Sequence, residues 1–426
     1  MKTSVNASAT TLPTIAAMPS SAARPVSDPV KARSLERPLR SMRGLTLATG
    51  PAYSAVILAC VHEQALTERL ISYDTSTLEG VREAAGFVEG WLEARDVDAK
   101  VGTHNGLPVI AATVGPETGP TVVLHGHLDV VPGRPEQFEP RVEGDRLIGR
   151  GAYDMKGGLA AMMCAARDLS TQSAVKVHFV CVCDEESDEA DARGSDYLVE
   201  KGYTGDFAIT GEPTDLHIGI QAKGVLALRL EVSGTSAHGS TPWLGDNAVM
   251  KAVDVFRRIE AMPFTRESSE MFDRPSVSLG RIMGGDAMNK VPDHCTIDVD
   301  IRFLPGQSAA AILEEIEALA DTSVHLMLHR EPAIVERDNP HVMLLAESIG
   351  DGLPAEHISI GRDGASDIVS FLEAGTPGVE FGPVGAGHHG PDEWVSIDSL
   401  VRYQRALVDF VNAIPMRLGA AHLRIA

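Results

Sequence analysis

The chain has 426 residues, of which 44% are hydrophobic and 23% charged, as in ordinary globular proteins. Its length exceeds that of one typical domain and predicts two domains, each with its own core. The formal net charge of −22 argues against nucleic acid as a partner, because phosphate contacts require clustered lysine and arginine. Five cysteines without a C-x-x-C pair argue against a disulfide framework and indicate a reducing, cytoplasmic compartment.

Residues 1–52 differ from the rest of the chain and are predicted to form a disordered N-terminal extension. Seven lysines and arginines face two acids in the first 50 residues, where serine, threonine, alanine and proline dominate. A basic, serine-rich start is also typical of a transit peptide, although no clear amphipathic helix accompanies it. The apolar run that follows is far shorter than the roughly 20 residues needed to span a bilayer, so we expect no membrane segment.

Alternating helix and strand patterns from residue 53 to 222 predict the first part of an α/β catalytic domain. Helical spacing is clear at 80–96 and 157–170, and apolar strands are predicted at 121–131, 177–183 and 206–210. Strands that alternate with helices indicate a central, mostly parallel sheet covered on both faces. Residues 335–426 resume this alternation and are predicted to complete the domain.

Residues 223–334 interrupt the catalytic domain with a different pattern. Strand signals and helix signals follow one another there in the order β-α-β-β-α-β. This order is typical of a compact, ferredoxin-like unit. The sequence therefore predicts one domain inserted into the other.

Acids and histidines follow the predicted strands of the catalytic domain. His125, His127 and Asp129 would share one face of a strand that reached residue 131, and Asp154 lies in a glycine-flanked loop before a helix. Further acids and histidines follow later strands, at Glu185, Glu186, Glu212, His388 and His389.

These loops should meet, because ligand sites in open α/β sheets lie beyond the carboxyl ends of the strands. Two carboxylates about 4 Å apart repel by roughly 4 kcal/mol at an effective dielectric near 20, so the cluster needs protons or a cation. Imidazoles with several carboxylates suit Zn²⁺, with Co²⁺ or Mn²⁺ as substitutes.

Five motifs occur in the order HGHLDVVP, GRGAYDMKGG, DEES, GEPT and HGPDE, with the insert between the fourth and fifth. Together they resemble the di-zinc amidohydrolases and peptidases that include acetylornithine deacetylase and succinyl-diaminopimelate desuccinylase. The resemblance implies a metallopeptidase-like catalytic domain, an inserted lid and dimerisation domain, and a homodimer. It also implies zinc-dependent hydrolysis of the amide bond of small N-acyl amino acids.

Carried over to this sequence, the resemblance assigns two zinc ions per chain to five side chains. His127 and Glu212 would bind one ion, Glu186 and His389 would bind the other, and Asp154 would bridge them. His389 is preferred over its neighbour because its spacing to the following Pro-Asp-Glu matches the family pattern.

The resemblance also assigns residues that do not bind metal. Glu185 would be the general base, which takes a proton from water and passes it to the leaving amine. Asp129 would orient the ring of a metal-binding histidine. We expect His125 to be a hydrogen-bonded core histidine and Asp184 to make a structural hydrogen bond.

The inserted domain supplies further candidates. The resemblance implies that His238 reaches into the active site of the partner subunit and binds the developing oxyanion. It places Asn289 near the substrate. Arg302 could clamp a substrate carboxylate, or it could simply pair with Asp298 or Asp300, and the sequence leaves both interpretations open.

The loop GRDGASDIVSF resembles a substrate loop that usually carries threonine before its Ser-Asp pair. Here Gly364 is followed by Ala365, so a hydroxyl contact to the substrate is missing. A dipeptidase or carboxypeptidase of the same family stays open, although the glutamate of GEPT favours a deacylase. A metal-binding protein without catalysis is a further alternative, which the presence of Glu185 argues against.

Overall fold

A computed structural model of the chain describes residues 62–172, 174–186, 193–319, 322–350, 352–358 and 360–419. The predicted extension at residues 1–52 lies outside the described residues. The helices are α1 (62–71), α2 (Leu78–Glu93), α3 (Gly157–Leu169), α4 (Gly194–Glu200), α5 (Ala248–Glu260), α6 (Ala309–Glu317), α7 (Pro340–Ile349), α8 (Pro354–His357), α9 (Ile368–Glu373) and α10 (Ile397–Arg417).

The strands belong to three sheets. Those of the first half are β1 (Ala99–His104), β2 (Leu107–Val114), β3 (Thr121–His127), β4 (Arg141–Glu143), β5 (Arg146–Ile148), β6 (Lys176–Val182), β7 (Phe207–Thr210), β8 (Gly219–Ala222) and β9 (Gly224–Ser233). Those of the second half are β10 (Ser276–Gly284), β11 (His294–Phe303), β12 (Thr322–Arg330), β13 (Ala333–Ile334), β14 (Ile360–Arg362), β15 (Gly378–Glu380), β16 (Gly385–Ala386) and β17 (Trp394–Ser396).

The largest sheet has a parallel centre, as the sequence predicts. Strands β6, β3, β7 and β15 lie side by side and run in the same direction. Strands β1 and β2 extend one side in antiparallel pairs, and β8 and β13 extend the other, where β14 also joins β8 in parallel. The α/β fold is confirmed, with a mixed sheet whose antiparallel pairs lie towards the edges.

Helices cover both faces of this sheet. Alternate residues of β3 point to opposite faces, so Leu124 packs with helices α3 and α10 while Val123 packs with α4 and α9. Both side chains have no exposed surface. This double coverage explains why the central strands have continuous apolar sequences rather than alternating ones.

The inserted unit has a sheet of its own, in the order β10-β11-β9-β12, with every pair antiparallel. Side chains of β11 at alternate positions, Cys295, Ile297, Val299 and Ile301, form its core with apolar residues of α5 and α6. The β-α-β-β-α-β order and this strand arrangement are those predicted for the insert. Strand β13 then returns the chain to the large sheet.

A four-stranded antiparallel sheet, in the order β16-β17-β5-β4, brings the loop after β5 close to the loop between β16 and β17. No helix in the described part of the chain is both long enough and apolar enough to cross a membrane.

Candidate metal centre

Three neighbouring parallel strands bring the predicted acids and histidines to one edge of the sheet. His127 is the last residue of β3 and pairs with Val182, the last residue of β6. His125 pairs with Thr210 at the end of β7, so Glu212 follows at the level of His127. The fold therefore places residues 184–186 and Glu212 on either side of His127.

One carboxylate faces two imidazoles at this edge. Asp154 lies in the turn Ala152–Lys156 that precedes α3. Its Oδ1 atom is 3.2 Å from Nε2 of His127, and its Oδ2 atom is 3.6 Å from Nε2 of His389. The two oxygens of Asp154 are thus directed at two different histidines, as a bridging ligand requires.

The five predicted ligands form two groups that share Asp154. In the first, Oε1 of Glu212 is 3.8 Å from Nε2 of His127; in the second, Oε1 of Glu186 is 3.0 Å from Nε2 of His389. Within each group the candidate ligand atoms lie within 4.8 Å of one another. This set of two imidazoles and three carboxylates fits a pair of metal ions such as zinc.

The electrostatics of the cluster follow from its burial and its charges. Burial opposes the charged form of His127, but hydrogen bonds with Asp129 and Asp154 outweigh it and raise the pKa well above its usual value. Burial likewise opposes ionisation of Asp154, but both histidines hold the pKa of its carboxyl below its usual range. Hydrogen bonds with Asp154 and Glu186 raise the pKa of His389 to about 10.

Glu185 lies beside the two groups. Together with Glu186 and His127 it forms a third set of neighbouring ligand atoms. Its Oε1 atom is 3.8 Å from a guanidinium nitrogen of Arg193, and 22% of its side chain is exposed. Burial raises the pKa of Glu185 to about 8. The structure thus places the predicted general base beside the two groups of candidate ligands.

Asp129 contacts the buried side chain of His127. The prediction that it shares a strand with His125 and His127 is wrong. Strand β3 ends at His127 rather than at residue 131, so Asp129 lies in the irregular segment that follows. Its backbone carbonyl is 3.0 Å from Nδ1 of His127, and its Oδ1 atom is 3.6 Å from the same nitrogen. Its Oδ2 atom accepts a hydrogen bond from the backbone N–H of Glu186 at 2.8 Å. The side chain thus links the histidine to the acidic loop.

The neighbouring histidines have different surroundings. His125 is fully buried, with its ring nitrogens 2.9 Å from the hydroxyl oxygens of Thr210 and Ser195. His388 packs against Tyr153, with ring centroids 6.1 Å apart. The ring of the next residue, His389, is the one that reaches the acids. These contacts give His125 the surroundings of a core histidine.

The three candidates on the insert make contacts within it. Nδ1 of His238 is 2.8 Å from the hydroxyl of Ser240, and the backbone carbonyl of Asn289 accepts a hydrogen bond from Gly239. The guanidinium of Arg302 donates two hydrogen bonds to the carboxylate of Asp300, at 2.9 and 3.0 Å. In the structure, Arg302 therefore forms an ion pair with an acid of its own strand, which is one of the two interpretations that the sequence left open.

The substrate-type loop lies between β14 and α9. A side chain at Gly364 would meet open space. Ala365 lines a small cavity beside Arg193 and Asp367. Arg193 donates hydrogen bonds to the backbone carbonyl of Glu185 at 3.2 Å and to Asp367 at 3.1 Å. It therefore connects this loop to the candidate base, a contact that the sequence did not indicate.

A second pair that sequence reasoning missed lies next to the candidate metal ligands. Glu393 is 1% exposed and accepts a hydrogen bond from Arg150 at 2.9 Å. It also accepts one from the backbone N–H of Asp154 at 3.0 Å. Both residues occur in the recognised motifs, but only the fold shows that they meet.

Comparison with known proteins identifies the family. The profile of Peptidase family M20/M25/M40 matches residues 123–413. The chain belongs to this family. The succinyl-diaminopimelate desuccinylase of Stenotrophomonas maltophilia is 31% identical over 343 residues, which cover 74% of this chain and 87% of that protein. The enzyme of the same name from Xanthomonas euvesicatoria is 30% identical over 341 residues, with the same coverage.

Solved structures of the family share the fold. A tripeptidase from Staphylococcus aureus superimposes with a TM-score of 0.70 at 19% identity, covering 84% of this chain and 99% of that one. A dinuclear metal-binding peptidase from Bacillus subtilis gives a TM-score of 0.61 at 14% identity, covering 85% and 100%. The predicted M20 resemblance is confirmed, and the chain is a metal-dependent amidohydrolase, either a deacylase or a peptidase.

Proposed function

We propose that this M20 enzyme is a two-zinc deacylase that removes a succinyl or acetyl group from the amino group of an amino acid. The observation that carries the proposal is the shared Asp154, which faces an imidazole on each side, with the carboxyl group of Glu185 beside the two groups that share it. Similarity to desuccinylases over three quarters of the chain supports a deacylase rather than a peptidase.

His127, Asp154 and Glu212 would hold one ion, and Asp154, Glu186 and His389 the other. When bound there, two such ions would supply Lewis acidity toward the amide carbonyl and would lower the pKa of water. The chain's own part is to fix these ligands: the Asp129 carbonyl accepts a hydrogen bond from Nδ1 of His127 and leaves Nε2 for the metal.

Glu185 would move the proton in the reaction. Its carboxylate takes the proton of the attacking water and delivers it to the nitrogen of the leaving amine. Arg193 holds the backbone of Glu185 and lies 3.8 Å from its carboxylate, which restricts where that carboxylate can point. The products are a free amine and a carboxylic acid.

We further propose that the enzyme works as a homodimer through the insert. Strands β10 and β12 form the two edges of the insert sheet, and exposed strand edges favour pairing with another chain. Each subunit would supply His238, with Asn289 beside it, to the substrate held at the other subunit's metals. Arg302 lies towards the opposite end of β11, opposite Val225, so it is not placed beside these two residues. Gly364 and Ala365 would contact the same substrate.

A substrate panel tests the proposed reaction. Purified protein loaded with Zn²⁺ is assayed for amine release from N-succinyl-diaminopimelate, N-acetylornithine and a series of dipeptides. We expect the acyl amino acids to give the higher kcat/KM. Faster hydrolysis of dipeptides would assign the chain to the peptidases of the family, and no hydrolysis at all would favour the metal-binding alternative.

A mixing experiment tests the dimer. Glu185→Gln and His238→Ala are each expected to be nearly inactive, because each lacks one group of every site. When the two variants are mixed and exchange subunits, about half of the dimers are heterodimers, and one of the two sites in each heterodimer has both Glu185 and His238. Activity should therefore return to about a quarter of wild type. Light scattering measures the oligomeric state of the wild type. A monomer with full activity would contradict the proposal.

A further inference from the structure

Glu393 accepts hydrogen bonds from three backbone N–H groups at and just before Asp154. Its Oε1 atom accepts from the backbone N–H groups of Tyr153 and Asp154, both at 3.0 Å. Its Oε2 atom accepts from the backbone N–H of Gly151 and from the guanidinium of Arg150, both at 2.9 Å. Four donors on one buried carboxylate fix the backbone of this turn, since each would otherwise be left without a partner.

The same arginine also reaches the loop that carries His389. Nη2 of Arg150 donates a hydrogen bond to the backbone carbonyl of His389 at 3.3 Å. His389 has a φ of 61°, a left-handed conformation that residues other than glycine rarely adopt. Gln137 supports this loop too, through a hydrogen bond from its amide to the carbonyl of Gly390 at 3.2 Å. The histidine is therefore held in an uncommon backbone conformation by side chains from the neighbouring loop.

We infer that Arg150 and Glu393 are positioning residues that set the carboxylate of Asp154 relative to the imidazole of His389. The inference rests on the proposed roles of Asp154 and His389 as metal ligands. Arg150 links the turn of Asp154 to the loop of His389, so it fixes the distance between the two. Glu393 holds the turn of Asp154 itself.

The two residues should have different effects on the two metals. Asp154 belongs to both groups of ligands, whereas His389 belongs to one. Loss of the Arg150 side chain frees the His389 loop but leaves three backbone donors on Glu393, so the affinity for one ion should fall. Loss of the Glu393 carboxylate frees the turn of the shared ligand, so the affinity for both ions should fall.

The experiment measures metal affinity rather than activity. Apoprotein of wild type, Arg150→Met and Glu393→Gln is titrated with Zn²⁺ against a chromophoric chelator, and two dissociation constants are fitted. Removing groups that orient a ligand typically weakens metal affinity 10- to 100-fold. We expect Arg150→Met to weaken one site by this factor and the other by less than threefold, and Glu393→Gln to weaken both.

Arg229→Met is the matched control. It also removes a guanidinium that makes two hydrogen bonds, here both to Asp298, at 2.7 and 2.9 Å, in the insert sheet. Both zinc affinities should stay unchanged in this variant, while its melting temperature shows the effect of losing a structural pair. Circular dichroism checks that each variant folds, and if Glu393→Gln does not fold, Arg150→Met still decides the question.

The outcomes separate the inference from the proposal beneath it. If wild type binds two zinc ions and Arg150→Met binds both with unchanged affinity, the pair is structural and the inference is overturned. If wild type itself binds fewer than two ions, the proposed metal site fails and the inference fails with it.

Discussion

Glu185→Gln tests whether the unliganded carboxylate carries the proton. The substitution keeps the size of the side chain and removes the oxygen that accepts a proton. The proposed ligands contact one another without this side chain. Nε2 of His127 is 3.2 Å from Oδ1 of Asp154, and Nε2 of His389 is 3.0 Å from Oε1 of Glu186. The variant should therefore bind metal as wild type does.

The expected loss of activity follows from the role. A positioned general base contributes typically 10²- to 10⁴-fold to the rate, which is about 3 to 5 kcal/mol of activation free energy. We therefore expect kcat to fall at least about 100-fold, with two zinc ions still bound. Glu186→Gln replaces the oxygen that lies 3.0 Å from Nε2 of His389, so it should lose one zinc ion per chain.

Initial rates on the best substrate of the panel and metal content by mass spectrometry decide between the two roles. Asp184→Asn is the matched control, because the Asp184 carboxylate accepts a structural hydrogen bond from the N–H of Gly194 at 2.7 Å, which an amide oxygen can also accept. It should change kcat by no more than a few fold. If Glu185→Gln loses metal while Glu186→Gln keeps it, the two roles are exchanged and the reasoning is refuted.

Three further predictions concern stability. Zinc should raise the melting temperature of the apoprotein. At a free zinc concentration of 100 times the dissociation constant, each site should add about 2.7 kcal/mol to the free energy of unfolding, and an apoprotein as stable as the zinc-bound protein would contradict a specific site. Burial lowers the pKa of His178 to about 4, so the folded form favours neutral imidazole, and stability should fall as pH drops from about 6.5 towards 4. Urea unfolding at several pH values measures this, and His178→Gln should flatten the dependence. Asn247→Ala removes the cap that accepts hydrogen bonds from the N–H groups of Val249 and Met250, and should cost about 1 kcal/mol in unfolding assays without changing zinc affinity.

The parallel centre of the sheet and the meeting of the acids could be predicted, because both follow from local patterns. Apolar runs mark buried parallel strands, and parallel strands bring the residues that follow them to one edge of the sheet. His127 and Glu212 illustrate this, since each lies at or just after the end of such a strand. The insert could be predicted for the same reason, because alternating burial along β11 is visible in its sequence.

Contacts between distant segments could not be predicted in this way. Glu393 and Arg150 are 243 positions apart, and an acid before a tryptophan gives no sign that it will be buried. Arg193 and Asp367 meet across 174 positions for the same reason. The predicted end of β3 is also wrong, because the buried apolar residues after His127 belong to an irregular segment rather than to a strand.

The proposed reaction and the proposed recognition of the substrate involve different parts of this molecule. The acids and imidazoles meet at one edge of the central sheet, where they could act on the amide bond that N-acyl amino acids and peptides have in common. The groups proposed to recognise the rest of the substrate lie on the insert and on the loop of Ala365, which join the site only through tertiary or subunit contacts. A chain of this family can therefore keep its metal ligands and change its substrate through the insert and this loop. It follows that variants at Asn289 or Ala365 should change the ranking of substrates in the panel, whereas variants of the central acids should lower activity on all of them alike.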